Sequence, residues 1–109
     1  MITILFKKKN DSFISFEIKG HSKLSGYGTD IVCSAVSSTT LMTVNGILEI
    51  LKLKVDYTVD EGYTYCNFEN IVNDKLSVLI NSYYVFLEEL SKQYPKNINF
   101  KVMEVWKCY

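Results

Sequence analysis

Apolar and polar residues alternate from Met1 to Lys7, with Ile2, Ile4 and Phe6 on one side, and the pattern returns at Ile14, Phe16 and Ile18. A period of two marks a strand with one buried face, so two strands are predicted. The polar stretch Asn10-Asp11-Ser12 between them predicts a hairpin, with Lys7, Lys8 and Lys9 read as a solvated turn. From Asp30 the period lengthens. Ile31, Val32, Ala35, Val36, Leu41, Val44, Ile47, Leu48 and Leu51 recur at spacings of about three and four, which predicts a largely buried helix ending near Lys52. Val55, Tyr57 and Val59 then alternate with polar residues, Glu61-Gly62 supplies a turn, and Tyr63 to Glu69 alternates again as a second hairpin. Leu76, Leu79, Ile80, Tyr83, Leu87, Leu90 and Tyr94 mark one face of a second helix, with Asn73 as its cap and Pro95 as its stop. Ile98, Phe100 and Val102 predict a last strand that ends near Trp106.

The resulting order is ββαββαβ. Antiparallel hairpins joined to two helices predict an α+β fold, a mainly antiparallel sheet with two helices packed on its apolar face. The pattern leaves the order of strands within the sheet open. At 109 residues and 48% hydrophobic content, one core and one domain spanning residues 1–109 are expected. There is no internal repeat, low-complexity tract or linker rich in proline, glycine and serine.

Twelve basic residues balance twelve acidic ones, so no net field draws the whole molecule to nucleic acid or an anionic membrane. The eight tyrosines are spread through both hairpins and the second helix without an RNA-binding motif, and they read as packing. The apolar start of the chain is too short for a signal peptide or a membrane span, which makes a cytoplasmic location the expectation. Cys33, Cys66 and Cys108 are odd in number and form no C-x-x-C pair, so reduced thiols are expected, with neither a disulfide framework nor a metal site. Cys66 and Cys108 read as buried filler and tail thiol.

One segment stands apart. Residues 20–29 hold three of the five glycines, Gly20, Gly26 and Gly28, between the end of a strand and the start of a helix, where mobile functional loops are often found. His21, the only histidine, opens this segment, and Cys33 follows it. With Asp30 as helix N-cap, Cys33 falls in the first turn, where free backbone N–H groups and the helix dipole favour a thiolate. The amides of Cys33 and Ser34 are then candidate donors to an oxyanion. A cysteine nucleophile also needs one group to accept and return a proton, and His21 is the sole side chain that ordinarily titrates near neutrality. Ser34, Ala35, Ser37 and Ser38 keep this end of the helix narrow enough for a peptide to approach.

Spacing alone leaves plainer readings open. A cysteine in an apolar helix fits a small core residue, a histidine after a strand fits a turn, and Asp30 fits either a simple cap or a residue that orients His21. A non-catalytic module that binds its partner through the same groove is the alternative function. Redox or acyl-transfer chemistry has neither a resolving thiol nor a glycine-rich phosphate motif to support it. No cofactor is expected.

Gly20-His21, followed by Tyr27-Gly28-Thr29-Asp30-Ile31-Val32-Cys33-Ser34-Ala35-Val36-Ser37, closely resembles the ribosomal-processing cysteine protease family (Prp), including the spacing of twelve from histidine to cysteine. Met1-Ile2-Thr3-Ile4, Thr43-Val44-Asn45-Gly46 and Gln93-Tyr94-Pro95-Lys96 extend the resemblance along the chain. It implies a catalytic dyad of His21 and Cys33, with Asp30 at the position of the family's aspartate. It also implies a bacterial endopeptidase that removes the N-terminal extension of a large-subunit ribosomal protein, cutting after an aromatic residue. A homodimer and a loop that orders around the substrate are further implications. Ser22-Lys23-Leu24 departs from the family's small residue, glycine and aromatic, and Ser34 replaces a common alanine.

Overall fold

The structure is a computed structural model that describes residues 1–20 and 29–106, without the side chains of Thr29 and Asp30. The elements run β1 (Ile2–Lys9), β2 (Ser12–Lys19), α1 (Thr29–Asn45), a π-helical turn (Gly46–Ile50), β3 (Asp56–Asp60), β4 (Tyr63–Asn67), α2 (Asp74–Gln93) and β5 (Ile98–Glu104). The predicted ββαββαβ order and α+β class both hold.

The five strands form one sheet in the order β3-β4-β2-β1-β5. All pairs are antiparallel except β1 with β5, which α2 makes parallel by carrying the chain across the sheet. Register aligns Phe6 with Phe16 and Cys66, and Ile4 with Ile18 and Thr64, so one face of the sheet carries the apolar rows. The helices pack on that face. Phe6 is fully buried among aromatic rings, with Tyr84 edge-on at 5.2 Å and Phe13 at 5.3 Å.

α2 forms as its pattern requires. The Asn73 side chain accepts the Leu76 amide at 3.0 Å, Leu76, Ile80, Tyr83, Leu87 and Leu90 are buried, and the helix closes at Tyr94, one residue before Pro95. α1 is different. Thr39 and Thr43 return their hydroxyls to the carbonyls of Ala35 and Thr39, which satisfies them inside the helix. Its continuation ends at Lys52, whose φ of 54° breaks the helical path. Ile31–Ile50 is long and apolar enough to cross a membrane, and within it Val32, Val36, Val44 and Ile47 are buried in the core.

Two expectations need correction. Lys7, Lys8 and Lys9 belong to β1, not to the turn. Asn10 and Asp11 make the turn with φ of 51° and 64°, the left-handed pair that a tight hairpin needs. The lysines are engaged: Lys8 lies over the Phe13 ring at 5.0 Å and Lys9 pairs with Glu69 at 2.7 Å. In addition, Tyr57 and Val59 are exposed, because β3 is the sheet's edge and the core lies under its inner strands.

Candidate active site

α1 presents Cys33 half-buried in a cleft of about 270 Å³ between the helix and the end of the β3–β4 hairpin. Ile2 and Ile18 form part of its floor, Val36, Ser37 and Thr40 line the helix side, and Val59, Asp60 and Tyr63 line the hairpin side. An apolar floor between two walls with polar groups suits a peptide segment, since side chains enter the floor while the main chain meets the walls.

Of the small residues at the start of α1, only Ser37 lines this cleft. Ser34, Ala35 and Ser38 share a separate shallow concavity with Ile31 on the helix's other side. The helix also begins earlier than expected. Thr29 is already helical, so Asp30 lies inside the first turn and is not the N-cap. The amides of Cys33 and Ser34 then fall beyond the first four N–H groups, where intrahelical bonding takes them up, so the oxyanion donors expected there are not free.

Gly20 ends β2 at the cleft with φ of 102°, and its amide donates to the Gly62 carbonyl at 2.9 Å. A Cβ at this position would stand 2.5 Å from the Met1 carbonyl oxygen, so backbone conformation and space both demand glycine. The chain entering the glycine-rich segment is thereby pinned between the N-terminus and the β3–β4 turn. His21, Gly26 and Gly28 lie outside the described residues.

The hairpin wall, which sequence patterns did not single out, is held by polar contacts. The Tyr63 hydroxyl donates to Glu17 Oε2 at 2.7 Å, and this bond, with some burial and the nearby carboxylate charge, holds the phenol above its ordinary value. Lys19 lies 3.9 Å from Glu17 and 6.0 Å from the Tyr63 ring. The Glu61-Gly62 turn signal was present, but placing it beside Cys33 requires the sheet order. Cys66 offers a contrast to Cys33. It is buried in the sheet, and desolvation, with the Asp56 charge, pushes its thiol up to about 12, which makes it inert near neutrality. Among the described residues, no three histidine, cysteine, aspartate or glutamate side chains come together as a metal site.

The family model described as Cysteine protease Prp matches residues 1–99. The ribosomal processing cysteine protease Prp of Bacillus subtilis is 28% identical over 105 residues, which cover 90% of this chain and 94% of that protein. Among solved structures, SMU.848 from Streptococcus mutans superposes with a TM-score of 0.86 at 27% identity, covering 96% of each chain. The essential ribosomal processing protease Prp from S. aureus, solved with a covalently linked product peptide, gives a TM-score of 0.80 at 25% identity over 94% of this chain and 99% of that one.

Proposed function

The chain belongs to the cysteine protease Prp family, and from that premise we propose that Cys33 is its nucleophile and His21 its acid/base partner. The single observation that carries this reading is the Cys33 thiol at the mouth of a peptide-sized cleft, in a protein whose relatives are cysteine proteases. The Cys33 thiolate attacks the scissile carbonyl carbon, and the C–N bond breaks as the His21 imidazolium gives its proton to the leaving amine. A thioester to Cys33 remains. Water, deprotonated by His21, then attacks the thioester carbon and releases the carboxylate product and the free thiol. The S. aureus relative was solved with a covalently linked product peptide, which supports a peptide as the substrate class.

The substrate in this reading is the N-terminal extension of a large-subunit ribosomal protein, removed in the cytoplasm by a homodimer. The ribosomal processing named for the relatives supports that choice. Mass spectrometry of a peptide spanning that extension, incubated with the protein or with Cys33→Ala, tests it. A single cut after an aromatic residue, lost in the variant, is expected. Intact peptide that binds both proteins equally would replace the protease with a binding module.

A further inference from the structure

The edge strand beside the cleft carries a second feature. All five residues of β3 are exposed, and among the described residues no other strand covers its outer edge. Tyr57 and Val59 stand opposite Cys66 and Thr64, hence on the face that is buried under the helices in the inner strands, yet they are 47% and 51% exposed. Proteins usually guard a bare edge with lysine, proline or a bulge. Asp56-Tyr57-Thr58-Val59-Asp60 has no lysine, proline or bulge, its two charges stand only at its ends, and its pairing with β4 runs without a register shift. The edge is also continuous with the active-site cleft, because Val59 and Asp60 line both.

We propose that the peptide substrate adds to the free edge of β3 as one further strand and crosses from there into the cleft to reach Cys33. This rests on the protease reading above. Ile18, Thr64 and Val59 lie in one row across β2, β4 and β3, and a strand added outside β3 lies one spacing further out, so it stands three strand spacings, about 14 Å, from the β2 side of the cleft. An extended chain covers that distance in about four residues. The strand-forming part of the peptide therefore lies about four or more residues from the scissile bond, on one side of it. Its main-chain bonds hold the peptide whatever its sequence, and every second side chain falls beside Tyr57 and Val59, which favours apolar residues there. Binding in that remote segment delivers the scissile carbonyl to the thiol.

The intact protein is tested with the ribosomal-extension peptide in a series, each member carrying one backbone N-methyl group. At alternate positions beginning about four residues from the cut, kcat/KM falls about tenfold, chiefly through KM, with intervening positions unchanged. Losses confined to the immediate neighbours of the cut, or losses without a two-residue period, overturn the proposal. If the unmodified parent is not cleaved, the protease reading fails separately. Hydrogen exchange of Cys33→Ala with the parent peptide then decides the strand: slowed exchange at alternate amides of Asp56–Asp60 supports it, and unchanged exchange there overturns it.

Discussion

α2 buries Leu76, Ile80, Tyr83, Leu87 and Leu90 along one stripe and carries its own cap, whereas α1 buries the shorter side chains Val32, Val36, Thr40, Thr43 and Val44 over the same sheet. Large side chains fill the space beneath α2, and the opening beside its first turns, lined by Leu76, Ser77 and Ile80 with Phe13, Phe68 and Ile71, holds no cysteine or histidine. The side chains beneath α1 are shorter, and Val36 and Thr40 among them line the cleft around Cys33. The outer faces differ less, since α1 exposes Ile31, Leu41 and Met42 and α2 exposes Val78, Val85 and Phe86. The difference lies on the inner faces, and it teaches that one helix contributes mainly buried bulk while the other carries, beside its shorter buried side chains, the thiol of the candidate site.

The comparison breaks most sharply if function and stability fail to separate. Cys33→Ala is expected to lower peptide cleavage by at least about 10³-fold, since without the nucleophile no thioester forms. Cys33 is only half-buried, so the melting temperature should hardly move. Calorimetry alongside the cleavage assay reads both; a variant that cuts normally removes Cys33 from the chemistry. Leu87→Ala is the opposite case. Leu87 is fully buried on α2, and its truncation should cost about 2–5 kcal/mol in urea unfolding, while the folded fraction keeps the KM of the parent.

That asymmetry also sorts what was readable from the residues alone. Everything that makes α2 is local: a period near 3.6, Asn73 at one end and Pro95 at the other, so the helix was readable to within a residue or two. The start of α1 follows a stretch of glycines and polar residues with no period, which is why Asp30 was placed at the cap when the helix already includes Thr29. Cys33 was readable through the Gly-His and Asp-Ile-Val-Cys pattern. The opposite wall, Val59 to Tyr63, was not, because it faces Cys33 only once β4 pairs with β2, and a hydrogen bond donated across 46 residues by Tyr63 to Glu17 leaves no local mark. The exposure of Tyr57 escaped for the same reason: alternation shows which residues share a face, not which strand lies at the edge.

A smaller effect concerns the two described thiols. Burial raises Cys66 from 9.0 to about 12 and also holds the Tyr83 phenol above its ordinary value, so the fold favours the neutral form of each. Such a contribution is complete below the unfolded pKa and is lost as pH rises through the folded one. The urea midpoint should therefore hold up to about pH 9 and fall toward about pH 12, with a shallower fall in Cys66→Ala. An alkaline limb that Cys66→Ala leaves unchanged would assign the loss to other groups. Alkylation at neutral pH, mapped by peptide mass, should mark Cys33 and spare Cys66.

The finest test lies where the helices meet. Thr40 on α1 and Tyr83 on α2 share a buried hydrogen bond of 2.6 Å, and Thr40 also lines the cleft. Tyr83→Phe removes one partner and should cost about 1 kcal/mol in urea unfolding, with KM unchanged, because Tyr83 lies beneath the helices and away from the cleft lining. Thr40→Val should cost a similar amount and also shift KM by a few-fold, since a methyl replaces a hydroxyl on the cleft wall. The double variant should cost less than the sum, as neither polar atom is then left without its partner. If Tyr83→Phe shifts KM as much as Thr40→Val does, the site depends on α2 through this bond, and the division between a helix for stability and a helix for the site does not hold at their joint.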